Sequence, residues 1–185
     1  MRSERDVVRS LVAGEPGAFD EMYGLYADRI WRFLMRLTQN EALAEDLFQE
    51  TWLAAASHAY LLREDSSIVR WLYTIARNAY RMSWRSKKAD LSKCMQLHLS
   101  RDEPRAEDDA LAAHIDLKRA KAAILRLPEA FHEVLVLCVL EELSSEDAAA
   151  VLEISPEAVR KRLSRARVEL GTMFGNHADS KEKIP

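Results

Sequence analysis

Across residues 18–37 large apolar side chains recur at every third or fourth position: Phe19, Met22, Tyr23, Tyr26, Ile30, Phe33, Leu34 and Leu37. That spacing lines one side of an α-helix and has no counterpart in a strand, whose side chains change face at every residue. The same period returns along most of the 185 residues, and only 5 glycines interrupt it. Alternating β-branched runs bounded by turns are absent. Such a chain is confined to an all-α fold, in which helices bury their apolar stripes against one another. A hydrophobic share of 48% is ample for folded cores, yet no run approaches the ~20 apolar residues of a membrane span.

Punctuation divides the pattern. Pro16 and Gly17 end a short first helix, and Thr38, Gln39 and Asn40 form a turn after the second. Asn40 suits the N-cap of a helix over 41–57 because its side-chain oxygen can accept an orphan backbone N–H. A loop over 58–67 leads to a helix over 71–85. From 86 to 109 the apolar period lapses, and Pro104 stands inside the charged run RDEPRAEDD, the composition of a linker. Helices then follow over 111–126, from Pro128 to about 142, over 146–152 behind Ser144 or Ser145, and from Ser155-Pro156 to about 174. The expectation is two small helical domains, 1–88 and 111–174, joined by a flexible linker, 89–110, and followed by a polar tail, 175–185.

The net charge of −3 argues against a simple nucleic-acid coat protein, but its distribution is uneven. Basic residues gather in 77–88 and 160–167, acidic ones in 41–50, 102–109 and 141–147. Two cysteines, Cys94 and Cys138, give no disulfide framework and fit a reducing compartment. The first twenty residues lack the apolar core of a signal peptide, so a cytoplasmic location is expected.

Three helical faces carry candidate chemistry. In WLYTIARNAYRMSWR, residues 71–85, Leu72, Ile75, Ala76 and Ala79 form the apolar stripe. Tyr73, Arg77, Tyr80, Arg81 and Trp84 lie opposite, with Arg85 at the margin. Aromatic rings with interleaved arginines suit unpaired bases and the phosphates between them. The alternative is that Tyr73, Tyr80 and Trp84 pack against another helix of the same domain. In SEDAAAVLEISPEAVRKRLSRARVEL two short helices flank a turn at Glu153, Ile154 and Ser155. Val159, Leu163, Ala166 and Leu170 point inward, and Lys161, Ser164 and Arg165 point out with Arg160 on the flank. That is the anatomy of a helix-turn-helix, whose second helix enters the major groove; a helical hairpin with a solvated basic face is the alternative. On the helix over 41–57, Leu53 lies among Asp46, Gln49 and Glu50, opposite a stripe of Ala44, Leu47, Phe48, Thr51 and Ala55. An apolar residue inside an acidic face suits a basic, partly apolar protein partner, although single exposed leucines are also common.

Other sites are weak. Cys94 and His98 are four apart, but nothing near them completes a metal site, and Cys138 reads as core. There is no glycine-rich phosphate loop, catalytic Ser/His/Asp set or paired buried carboxylate, so neither an enzyme nor a metal or other cofactor is expected.

Together these segments resemble a known family. FDEMYGLYADRIWRFLMRLT, AEDLFQETWLAAA and WLYTIARN are similar to the second region of bacterial sigma factors. LPEAFHEVLVLCVLEELSSEDAAAVLEISPEAVRKRLSRARVEL is similar to their fourth region. With no other regions, the chain resembles the extracytoplasmic-function (ECF) group of the sigma-70 family. The resemblance implies a factor that binds core RNA polymerase and directs promoter-specific initiation. Asp46, Gln49, Glu50 and Leu53 would dock on the clamp helices of the β-prime subunit, with further contacts to the β subunit. Trp71, Tyr73, Arg77, Asn78, Tyr80, Arg81, Trp84, Arg85 and the loop before them would capture unpaired minus-ten bases. Ser155, Glu157, Arg160, Lys161, Ser164 and Arg165 would read the minus-thirty-five duplex. An anti-sigma factor is the further implied partner.

Three positions depart from the family's pattern: Met82 stands where Asp is common, Glu153 where Gly is common in the turn, and His132 where Arg is common. Met82 near the core stripe is expected to pack, with the loss of a polar contact as the alternative, and His132 is expected to lie on the surface. Two rivals remain at this stage: a sigma-like decoy that sequesters an anti-sigma factor, and a conventional regulator using the helix-turn-helix alone.

Overall fold

A computed structural model of the chain describes residues 2–94, 123–124 and 126–178, with side chains described as far as 83 in the first stretch and 173 in the last. The described residues are helical, with no strand among them. In chain order the helices are α1 (Glu4–Val12), α2 (Ala18–Thr38), α3 (Glu41–His58), α4 (Ile68–Cys94), α5 (Glu129–Leu135), α6 (Ser145–Leu152) and α7 (Pro156–Ala178). A 3-10 turn, Ala59–Leu61, follows α3, and a π turn, Val136–Leu140, follows α5.

Local chemistry sets most ends. Ser3 and Asp6 form a reciprocal capping box on α1. Asn40 Oδ1 accepts the Leu43 N–H at 2.9 Å. The start of α4 is held from outside, where Glu4 Oε1 of α1 accepts the Ile68 N–H at 2.8 Å. Helix α4 continues to Cys94, so the helical backbone runs beyond position 86, where the lapse in period marks a linker. The rest of that expected linker, with His98 and the helix expected over 111–126 as far as 122, lies outside the described residues, as does the tail after 178.

The N-terminal unit buries most of the predicted α2 stripe: Met22, Ile30, Phe33, Leu34 and Leu37 are inaccessible and Phe19 and Tyr26 half-buried, whereas Tyr23, expected on the stripe, is exposed. Helices α3 and α4 close over it with Ala44, Leu47, Ala55, Leu72 and Ala76. In the C-terminal unit α5, α6 and α7 meet around Val134, Leu137, Val151 and Val159. The two sets belong to one continuous apolar cluster, because α6 lies along α4 and the π turn meets α2. A smaller cluster of Leu127, Leu135 and Ala166 supports the outer half of α7.

Candidate nucleic-acid interface

Helix α3 presents the acidic face as its period requires. Ala44, Leu47, Thr51 and Ala55 are buried, while Asp46, Gln49 and Glu50 are exposed. Leu53 among them keeps 70% of its surface accessible. Helix α7 is equally clear. Ser155 Oγ accepts the Ala158 N–H at 3.2 Å and opens the helix. Val159 and Ala166 are buried against the unit, and Ser155, Glu157, Arg160, Lys161, Ser164 and Arg165 are exposed. Arg160 pairs with Glu157 at 3.1 Å and Glu146 at 3.7 Å. Hydrogen bonds from its own backbone N–H and from Ser155 hold the Glu157 carboxyl below the ordinary range. The turn before α7 is made with Glu153 itself at φ +56°, the left-handed conformation that glycine would supply more cheaply.

Helix α4 corrects the expectation of an outward aromatic platform. Tyr73, Tyr80 and Arg77 keep 0%, 3% and 4% of their surface. The packed alternative describes this arrangement: Phe33 and Arg29 of the same unit cover the Tyr73 ring, while Glu141, Glu133 and the Val151 carbonyl of the other half meet the Tyr73 hydroxyl and Arg77. Tyr73 meets Phe33 edge-on at 4.7 Å between ring centroids. Its hydroxyl donates to Glu141 Oε2 at 2.5 Å and accepts from Arg29 Nε at 2.8 Å. Arg36 donates to the same Glu141 carboxylate and to the Leu140 carbonyl. One turn along α4, Arg77 forks onto Glu133 at 3.1 and 3.3 Å and donates to the Val151 carbonyl at 3.3 Å. Arg81 lies 3.7 Å from Glu129, and Arg70 lies 3.5 Å from Asp147, at the half-exposed rim. Trp71 and Arg81 are half-buried and Asn78 is exposed. The side chains of Trp84 and Arg85 lie outside the described residues.

Burial perturbs the ionisable groups of this contact. It pushes the Tyr80 hydroxyl up to about 12, helped by Glu129 and Glu133. It raises Tyr73 further, with Glu141 accepting its proton and adding to the shift. Burial also lifts Glu133 above the carboxylate range, against the pull of Arg77. His132 is buried, not on the surface as expected. Burial lowers its pKa, partly opposed by its bond to the Arg36 backbone, and its Nε2 has no partner among the described residues. Met82 is likewise opposite to expectation, being 71% exposed. Cys138 is half-buried and its thiol is pushed up by burial.

Neither the basic pair Arg29 and Arg36 nor the acids Glu133 and Glu141 are among the candidate site residues drawn from the sequence. A signal was present: Arg77 and Arg81 are four apart, as are Glu129 and Glu133, and they pair in antiparallel order. Arg29 and Arg36, seven apart, share one side of α2 and meet one carboxylate.

No helix of the described residues is long and apolar enough to cross a membrane. Comparison with known proteins matches "Sigma-70 region 2" over residues 22–89 and "Sigma-70, region 4" over 117–170. The ECF RNA polymerase sigma factor SigM of Bacillus subtilis is 30% identical, aligned over 84% of this chain and 94% of its own length. The Bacillus subtilis sigma factor YlaC is 32% identical over 83% of this chain and 90% of its own. Among solved structures, CnrH, in complex with the cytosolic domain of CnrY, shares the fold at a TM-score of 0.71 and 23% identity, covering 95% of this chain and 99% of that one. The sigma factor RpoE of Bartonella quintana, in complex with the anti-sigma factor NepR, gives 0.70 and 24%, covering 86% and 98%. With both regions matched in order and relatives aligned over nearly their whole length, the chain belongs to the ECF sigma factors of RNA polymerase.

Proposed function

We propose that this sigma factor docks on the β-prime clamp helices through Asp46, Gln49, Glu50 and Leu53, with further contacts to the β subunit. Leu53, exposed at the centre of the acidic α3 face, is the observation that carries this reading. An apolar anchor ringed by charge gives a docking surface both affinity and register. The exposed face of α7 reads the minus-thirty-five duplex. There Arg160, Lys161 and Arg165 offer guanine contacts and phosphate charge, and Ser155, Glu157 and Ser164 add hydrogen-bonding groups. The α4 face, with Trp71, Tyr73, Arg77, Asn78, Tyr80, Arg81, Trp84 and Arg85, takes unpaired minus-ten bases once the C-terminal unit has left it. The factor works in the cytoplasm, consumes no nucleotide, and melts promoter DNA with the binding energy of polymerase and unpaired bases. A protein inhibitor of the anti-sigma class is its regulator, as the complex of the Bartonella quintana factor illustrates for that protein.

Run-off transcription with core polymerase on fragmented genomic template tests the reading. Promoter-specific transcripts that depend on the chain support it. Duplex binding with no such transcript would leave a conventional helix-turn-helix regulator, and polymerase binding with no transcript on any template would sink the initiation role. Leu53→Asp should lower the affinity for core polymerase at least about tenfold, as loss of an interface anchor does. Unchanged affinity would rule out the α3 surface.

A further inference from the structure

We propose that α1 holds in shape the loop that leads into α4, residues 62–67, and that Glu4 is the positioning residue through which it does so. This deepens the reading, on which it rests, that the loop and α4 take unpaired minus-ten bases. The loop hangs between two buried anchors, Leu62 and Ile68. Between them Arg63, Glu64 and Asp65 are exposed. A short turn braces the tip: the Ser66 N–H donates to the Arg63 carbonyl at 2.8 Å, and the Arg63 N–H donates to Ser66 Oγ at 3.0 Å. That turn fixes the form of the tip and leaves its direction to the anchors.

At the second anchor α4 begins, where the Ser67 carbonyl accepts the Trp71 N–H at 3.0 Å. The first N–H groups of a helix have no partner within it. Here Glu4 Oε1 accepts the Ile68 N–H at 2.8 Å, and the Ser67 hydroxyl donates to the same oxygen at 3.5 Å. The carboxylate also meets the positive end of the helix dipole. The cap of α4 is thus supplied from 64 residues upstream. Burial, and after it the Glu4 charge, raises the pKa of the Tyr26 hydroxyl, so α2 meets the same carboxylate. Helix α1 is itself fixed, with Val7, Val8 and Leu11 buried and Arg2 paired to Glu21 of α2 at 3.0 Å. Arg9 lies 3.8 Å from Glu64 on the exposed tip, a contact too solvated to hold the loop alone. Before the loop, Tyr60 and Leu61 keep 64% and 60% of their surface, an aromatic and an aliphatic face open to a base. Such a site discriminates between bases only if its walls stand in place before the base arrives. Glu4 therefore governs which base the loop prefers without itself touching DNA.

The test uses the full-length chain assembled with core polymerase. The holoenzyme selects from a pool of random single-stranded oligonucleotides of about twelve nucleotides, a length within the range of single-strand sites, and the bound fraction is sequenced. Tyr60→Ala with Leu61→Ala identifies the position that the loop reads, by loss of preference there. Glu4→Ala should reduce the preference at that position by about fivefold, the lower end of what one base position contributes to discrimination. Affinity for core polymerase should change less than about twofold, because the α3 face is untouched. Glu4→Gln keeps an oxygen to accept the Ile68 N–H and should keep most of the preference. Val8→Ala weakens α1 through packing alone and should lower the thermal midpoint while leaving the base profile as it is. If the loop pair alters the profile and Glu4→Ala does not, the positioning role is overturned and the role of the loop stands. If Val8→Ala flattens the profile as much as Glu4→Ala does, α1 supplies only stability and the positioning role is again overturned. If the loop pair leaves the profile unchanged, the loop reads no base, and the proposal falls with that assignment.

Discussion

At the scale of single residues, the sign of burial decides what acid does to the closed arrangement. His132 is held below its ordinary 6.5 by burial, so the unfolded chain takes up a proton first as pH falls. The stability it allows is present above about pH 6.5 and is lost as pH falls through that value. Glu133 runs the other way: its carboxyl is raised above 4.5, so its protonation favours the native state, but only in a more acid range. The thermal midpoint should therefore drop between about pH 7 and pH 5.5, and His132→Asn should flatten that slope. An unchanged slope in the variant would show that another group controls it. Arg77 invites a sharper experiment. Arg77→Leu alone leaves Glu133 buried without its cation and should cost about 3–5 kcal/mol in urea unfolding. Arg77→Leu with Glu133→Leu should cost far less, because neither charge is then stranded. The presence of Tyr73, Arg77 and Tyr80 on one helical face was legible from their spacing. What covers that face was not, since Glu133 lies 56 residues from Arg77 and Glu141 lies 68 from Tyr73.

Elements were legible where capping chemistry coincides with a change of period. Asn40, Ser144 and the Ser155-Pro156 pair mark the starts of α3, α6 and α7, and each of the three side chains accepts the backbone bond its position calls for. Ser144→Ala should lower stability by about 1 kcal/mol, the usual loss of an N-cap. Glu153 makes the complementary case at the other end of α6. Its left-handed backbone is costly for a residue with a Cβ, and Glu153→Gly should raise the unfolding midpoint by about 0.5–1 kcal/mol of stability. Element ends without such signals leave no trace in the sequence. Helix α4 passes position 86 because nothing there forbids helix, although the apolar period that reveals a packed face has stopped. The stretch 128–142 looks like one helix from its apolar content, yet it divides into α5 and the π turn, a change of hydrogen-bond register that leaves no mark in composition.

For the whole molecule, two units were expected, and the helices before and after the expected linker share one apolar cluster. A continuous core predicts cooperative loss: calorimetry of the full chain should give a single transition. Glu129→Gln with Asp147→Asn, by loosening the rim between the units, should split it, with the smaller C-terminal unit melting first. Two resolved transitions in the unaltered chain would argue that the units do not support each other. The distribution of charge, more than its near-neutral sum, carries this organisation. Part of the acidic run at 141–147 lies against the basic side of α2 and α4, with Glu141 and Asp147 as its contacts.

The π turn has one more consequence. Its closing bond runs from the Glu141 N–H to the Val136 carbonyl at 2.9 Å, five residues back in place of four. A regular helix advances about 100° per residue, so one residue more or less in that turn re-aims everything beyond it. Loss of a single codon between 136 and 140 would restore ordinary helical phase, leave overall composition and charge nearly as they were, and swing Glu141 away from Arg36 and Tyr73. In this chain the grip of one half on the other is therefore open to change by insertion or deletion of a residue as much as by substitution, at a place where helical register counts for more than side-chain identity.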